Sequence, residues 1–431
     1  MSKSLMQRKL AQYSFGLLFV LSVITSALAH DSTPWTIQRA ERQMLVDDIA
    51  YYQFVVAVGP GQHDKIRIHR VVKERAPYQP LNLPQAVMFF PGEPTYFATL
   101  YIEPLIDKKI ARDRSIAIYL AEHNIDVWGM DYRWALVPEH TTDFTFMKDW
   151  GAERDVQDGE IALTIARIIR GSFLHPAGPM FASGLSYGAQ IDYGIASDDL
   201  LLPPPLRNVK GIIPLDNAVI FKELQAADCT NAAQAKATID SGTYDNDNRS
   251  MSQMGDLALS DPSGTSPFDP TVDNYVFALE VAEYPEQPQI PWHFMGGWFD
   301  PDTGLPTGLI FTEDRVFFEL LKYNEPPYYP LRVDYETEAA DCGQGFPDVT
   351  FASHMSRIHI PIFLVGALGG FGYSSVYNTT ITQSNDVQTL IVQALPDGMQ
   401  ASDYGHADLV TARDADTRVW QPILDWLVAH Q

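Results

Sequence analysis

Cysteine is almost missing from this chain: 431 residues hold two, Cys229 and Cys342. No histidine pair stands at ligand spacing beside them, so a zinc site is not a sensible reading, and no metal or other cofactor is expected. Long hydrophobic runs are equally scarce. One occurs, Phe15 to Ile24, roughly ten residues where a membrane span needs about twenty. Nothing after it is apolar enough to cross a bilayer, so no stable membrane insertion is expected of the remaining chain. Positive charge is the third shortage: 30 Lys and Arg stand against 54 Asp and Glu, a formal net charge of −24. So negative a surface argues against nucleic acid and anionic membranes as partners, because both are polyanions.

What is present begins with an address. Lys3, Arg8 and Lys9 form a basic start, the apolar run follows, and Ala27-Leu28-Ala29 fits a signal-peptidase site. Residues 1–29 therefore read as a secretory leader, with an uncleaved anchor as the alternative. The protein is expected to be exported, to a periplasm or to the outside. In an oxidising compartment an even cysteine count favours a Cys229–Cys342 disulfide over two buried thiols. Such a bridge would close a loop of more than a hundred residues, worth at most on the order of 4–5 kcal/mol in loop entropy.

Tyr51 to Val58 and Lys65 to Lys73 are rich in β-branched and aromatic residues and flank Gly59-Pro60-Gly61, which predicts a hairpin. Apolar strands then alternate with helical spacings. Gln85 to Phe90, Ile125 to Met130, Pro179 to Ala182 and Val209 to Leu215 read as strands. Arg112 to His123 and Glu153 to Arg170 read as helices, the second with Ile161, Ile165, Ile168 and Ile169 on one face. This alternation predicts a mainly parallel sheet covered on both faces, with chemistry at the C-terminal strand ends. Gly92, Asp131, Ser186 and Asp216 fall at such ends.

From Ala218 to Arg357 the pattern breaks into turn clusters and dense aromatics, among them Trp292, Phe294, Trp298, Phe317 and Phe318. This reads as an aperiodic insertion, with the two cysteines near its ends as a staple. Asp245 to Asn248 and Asp300 to Asp302 lack calcium-loop spacing and read as turns. Strands resume at Ile360 to Val365 and Val387 to Ala394, and Thr417 to Val428 reads as a closing helix.

The richest stretch is Gly184-Leu185-Ser186-Tyr187-Gly188. A serine between small residues, after a strand and before a helix, makes a sharp nucleophile elbow. With Gly405-His406-Ala407-Asp408 downstream, the pattern resembles the α/β-hydrolase family over nearly all of the chain past the leader, outside the insertion. The resemblance implies an α/β fold: a mainly parallel sheet with helices on both faces and a large cap inserted after the sixth strand. Residues 30–217 and 358–431 would be the catalytic domain and 218–357 the cap or lid.

Ser186 matches the family's nucleophile; an ordinary helix N-cap serine is the bland alternative. His406 matches the general base, since a neutral imidazole takes and returns a proton near pH 7. Most of the family carries the third residue after the penultimate strand, but Gly366 to Gly370 has no carboxylate. Asp216, one strand earlier, is the candidate acid, with Asp386 as runner-up. Asp403 is too close in sequence to His406, and Asp131 reads as structural. The oxyanion hole would use the N–H groups of Tyr187 and Glu93.

The resemblance implies an exported serine hydrolase cleaving carboxylic esters through an acyl-enzyme, with a small-molecule or lipid-like ester as partner. A serine peptidase of the same fold, with an acidic pocket near Glu93 or Asp131 for a peptide's amino terminus, is the second reading. A catalytically silent binding module is the third.

Overall fold

The computed structural model describes residues 35–106, 109–112, 114–283, 292–323 and 327–431. The leader expected over 1–29 lies outside them. Strands β1 (Thr36–Val46), β2 (Ile49–Ala57) and β3 (Lys65–Ala76) form an antiparallel meander. Strands β4 (Ala86–Phe90), β5 (Asp126–Asp131), β6 (Met180–Leu185), β7 (Val209–Leu215), β8 (Ile362–Ala367) and β9 (Val387–Val392) run parallel. The order across the sheet is β1-β2-β3-β5-β4-β6-β7-β8-β9, with a two-residue strand, Gln79–Pro80, on β3.

Helices α1 (Phe97–Tyr101), α2 (Ile116–Glu122), α3 (Ala152–Arg170) and α4 (Tyr187–Asp199) connect the early strands. Between β7 and β8 come α5 (Gln225–Asp240), α6 (Arg249–Ser260), α7 (Asn274–Glu283), α8 (Asp314–Tyr323) and α9 (Leu331–Cys342). Helices α10 (Gly372–Ile381), α11 (Asp408–Thr411) and α12 (Gln421–Ala429) complete the chain. No helix among the described residues is long and apolar enough to cross a membrane.

Every residue of β4, β5 and β6 is buried, which suits a sheet sealed on both faces. Met88, Trp128, Ala182 and Ile212 face α3 and α4 through Val156, Ile165 and Ile191. Phe89, Val127, Phe181 and Ile213 face α2 and α12 through Ile116, Leu120, Ile423 and Leu427. The expected mainly parallel sheet with helices on both faces is the one observed.

Three details differ from the sequence reading. The first strand, Thr36–Val46, carries Arg39, Glu41 and Arg42 and is mostly exposed, as an edge strand should be. Its polarity hides it from an apolar-run search, and it makes the insertion follow the seventh strand rather than the sixth. The insertion is not irregular: its described residues form five helices, with α5 packed on α9 and α6 on α8. Asp245–Asp247 is not a plain turn but a short strand paired with Tyr328–Pro330. A disulfide joins Cys229 on α5 to Cys342 at the end of α9.

Candidate functional site

The order of the strands reverses beside β4, which lies between β5 and β6. Such a switch point opens a crevice at the C-terminal strand ends. Ser186 stands there, between β6 and α4, with φ 59° and ψ −127°. That backbone is costly for any residue with a Cβ and persists only where the surroundings enforce it. Here they do. The Ser186 amide donates to Leu215 O at 3.0 Å, and its carbonyl accepts from Ala189 N at 2.8 Å. Gly184 and Gly188 press together, so that a Cβ on Gly184 would come within 2.3 Å of Gly188 carbon. The turn closes only because both lack side chains.

Asp216 follows β7 with φ 48° and no exposure. Its Oδ1 accepts from Ala367 N at 2.8 Å and its Oδ2 from Phe371 N at 3.0 Å. His406 Nδ1 lies 2.7 Å from Asp216 Oδ2. A carboxylate can only accept, so Nδ1 carries a proton and Nε2 is the ring nitrogen turned away from Asp216. The glycine loop after β8 thus carries no acid of its own. It wraps the acid of the preceding strand, and a Cβ on Gly370 would fall 2.0 Å from Asp216 Oδ2.

The other carboxylates are engaged elsewhere. Asp386 precedes β9, at the opposite end of the sheet, and faces His430 Nε2 at 3.1 Å. Asp403 accepts from Ala394 N, Leu395 N and Tyr404 N, pinning the loop after β9. Asp131 faces His69 at 3.0 Å and accepts from Phe97 N at 2.8 Å, a buried structural group.

The loop after β4 runs against the elbow. A Cβ on Gly92 would come 3.0 Å from that of Ser186, which brings Glu93 next to Ser186. The Tyr187 amide opens α4, where the first helix N–H groups have no partner within the helix. The Tyr187 hydroxyl donates to Asp155 at 2.8 Å. The Glu93 carboxyl keeps acidic company. Burial first, then Asp334, Asp155 and Glu338, raise its pKa well above the carboxylate range, against a hydrogen bond from Tyr329. Burial likewise lifts Asp334 to about 6, and burial with Asp158 lifts Asp155 to about 8.

Ser186 and His406 open onto one cavity of about 60 Å³. Glu93 and Thr95 line its polar end. Leu100, Leu185, Met251, Phe294, Phe317, Leu320 and Leu321 line the rest, most of them from the insertion. Trp292, Phe294 and Phe371 ring the His406 imidazole at centroid distances of 5.9, 5.8 and 5.4 Å. The insertion is also tied to the histidine loop through the backbone: His406 N donates to His293 O at 3.0 Å and Ala407 N to Phe294 O at 2.8 Å.

Ser186, His406, Asp216, Tyr187 and Glu93 therefore share one locality, whereas Asp386 and Asp131 lie outside it. Sequence reasoning missed the Trp292–Phe371 collar and the acids behind Glu93. The aromatic density of the insertion was the only signal for the collar. Asp334 and Glu338 stand one turn apart on α9, but Glu93 and Asp155 lie far from them along the chain, and nothing in the sequence spacing brings the four together.

No family model matches this chain, and no curated protein matches it in sequence. Its fold recurs among solved structures. A candidate lipase from Sulfolobus solfataricus aligns with a TM-score of 0.62 at 19% identity, over 92% of this chain and 99% of that one. An epoxide hydrolase from Vigna radiata aligns with a TM-score of 0.46 at 11% identity, over 90% and 98%. A monoglyceride lipase from Saccharomyces cerevisiae gives 0.45 at 11%, over 94% and 99%. At such identity the first likeness shows a shared fold, and the other two add no argument to it.

Proposed function

We propose, from the premise that this chain has the α/β-hydrolase fold, that it is an exported serine hydrolase acting on carboxylic esters. One observation carries this reading: a half-buried serine held at φ 59° opens onto an apolar cavity shared with a histidine whose ring is tied to a buried aspartate. In the proposed reaction His406 Nε2 takes the Ser186 proton as Oγ attacks the ester carbonyl. The Tyr187 and Glu93 amides receive the oxyanion, at about 3 kcal/mol of transition-state stabilisation for each donor. His406 returns the proton to the departing alcohol. Water, activated by the same ring, then frees the acid from the acyl-enzyme. Asp216 holds the tautomer and stabilises the imidazolium.

Residues 218–357 serve as the cap, and the Met251, Phe317, Leu320 and Leu321 wall receives the acyl group. The apolar lining of the cavity suits an acyl chain. The disulfide agrees with export.

The peptidase reading keeps one supporting observation, the acids gathered beside Glu93. An ammonium there would find carboxyl partners.

A fluorophosphonate probe with peptide mapping, followed by a panel of nitrophenyl esters and aminoacyl arylamides, tests both. The expected result is a single adduct on Ser186, ester turnover, and a loss of about 10⁴-fold or more in Ser186→Ala with the fold intact. Turnover confined to arylamides with a free amine would move the assignment to the peptidase. A folded protein that neither labels nor turns over any substrate would end both.

A further inference from the structure

The run that drew attention to His406 contains an acid that the proposed reaction leaves unused. Asp408 opens α11 and is fully buried. Its Oδ2 accepts two backbone amides, Gly405 N at 2.9 Å and Gly296 N at 2.7 Å. Its Oδ1 accepts the Thr312 hydroxyl at 2.6 Å. Gly405 precedes the histidine; Gly296 and Thr312 belong to the insertion. One carboxylate thus binds three separate stretches of chain, two of them in the insertion.

We infer that Asp408 is a positioning residue for His406, clamping the histidine loop to the insertion so that the imidazole is aimed only when the insertion is seated. The inference rests on the proposed hydrolase reading for its catalytic consequence. Geometry supports a specific role over mere packing. Burying a carboxylate costs several kcal/mol unless donors replace its water, and an apolar residue of similar size would fill the space at less cost. What a polar side chain supplies here, and an apolar one cannot, is hydrogen bonds to several segments at once. The clamp is reinforced beside the ring, where His406 N and Ala407 N donate to His293 O and Phe294 O. These same residues adjoin the aromatic collar. The ionisable groups facing Asp408 are Glu283 at the end of α7, Asp414, and Tyr404, which donates to Asp414.

The test compares Asp408→Ala, Asp408→Asn and Thr312→Val in the full mature chain. Two readouts are used: kcat and KM on a short-chain nitrophenyl ester, normalised to sites titrated by phosphonate, and the low-field proton resonance of the His406–Asp216 hydrogen bond, which needs no substrate. Asp408→Ala is expected to lower kcat per titrated site by about 10- to 100-fold with KM within about threefold, and to lose the resonance. Asp408→Asn is expected to recover activity to within a few-fold, since its amide oxygen still accepts and its NH₂ can donate to Thr312. Thr312→Val removes one of three donors and is expected to cost a few-fold in kcat; it carries the test if the alanine variant does not fold. Wild-type kcat per titrated site and an unchanged resonance in the alanine variant, or in Thr312→Val should alanine not fold, would overturn the clamp. If the wild-type protein turns over no ester, the proposed function fails separately, and the resonance alone decides the clamp.

Discussion

Asp216 meets two demands at one position. Its backbone must turn at φ 48° as β7 ends, and its carboxylate must accept from Ala367, Phe371 and His406 together. An asparagine could keep the shape but would offer one acceptor oxygen, and its NH₂ facing the ring would favour the wrong imidazole tautomer. Asp216→Asn is expected to lower kcat by about 10³- to 10⁴-fold, and the melting temperature by a few degrees, because one of the two buried amides loses its acceptor. Asp386→Asn, at the far end of the sheet, is expected to stay within about twofold of wild type. Steady-state kinetics on both variants check this, and the reverse order of effects would transfer the acid's role. The serine and histidine candidates were legible because each sits in a short local pattern with glycines beside it. The acid was legible only in outline. Its partners are amides from residues 367 and 371, and sequence spacing does not record which backbone will wrap which carboxylate.

At the scale of elements, the sheet was legible because strands buried on both faces must be apolar throughout, as Ala86–Phe90 and Met180–Leu185 are. The edge strand Thr36–Val46 was not, since its exposed face admits charge. The insertion helices were obscured for another reason: α5 is mostly exposed and shows no clean amphipathic period, whereas α8 carries one, with Val316, Phe317, Leu320 and Leu321 on one face, that the aromatic density around it masked. Helix α7 ends on an acid that no periodicity explains. Glu283 is 1% exposed, and neither carboxylate oxygen has a hydrogen-bond partner among the described residues. Burial first, then Asp314 and Asp408, push its pKa up to about 9. An unfolded glutamate ionises near ~4.3. The folded state therefore keeps a proton that the unfolded chain gives up between those values. The stability this supplies is complete below ~4.3 and drains away as pH rises towards 9. Glu283→Gln keeps the neutral shape and removes the drain. It is expected to raise stability at pH 8 by on the order of 2 kcal/mol and to change little at pH 4. Thermal melts at the two pH values check this; an equal gain at both, or a loss at pH 8, would contradict it.

Across the whole molecule the insertion is less a separate part than a detour through the candidate site. The chain leaves the sheet immediately after Leu215, so Asp216 is the first residue out, and it returns at Ile362, whose strand leads into the loop around that same carboxylate. Between these points the chain passes His293 and Phe294, which hold the histidine loop by its backbone. Anything that loosens the insertion should therefore disturb two members of the proposed triad before it disturbs the sheet. The Cys229–Cys342 bond, spanning 113 positions, fastens α5 to α9 within that detour. Removing both sulfurs, in Cys229→Ser/Cys342→Ser, frees a long loop in the unfolded chain and costs at most on the order of 4–5 kcal/mol. The expected outcome has an order as well as a size. Ester hydrolysis in the double variant should fail at a temperature several degrees below the loss of far-ultraviolet circular dichroism, while the two coincide in the wild type. Amide exchange should quicken in α5, α9 and the 293–297 segment before it does in β4 to β7. Coincident loss of activity and secondary structure in the variant would mean that insertion and sheet melt as one unit, and that the disulfide stabilises the whole fold rather than the seating of the cap.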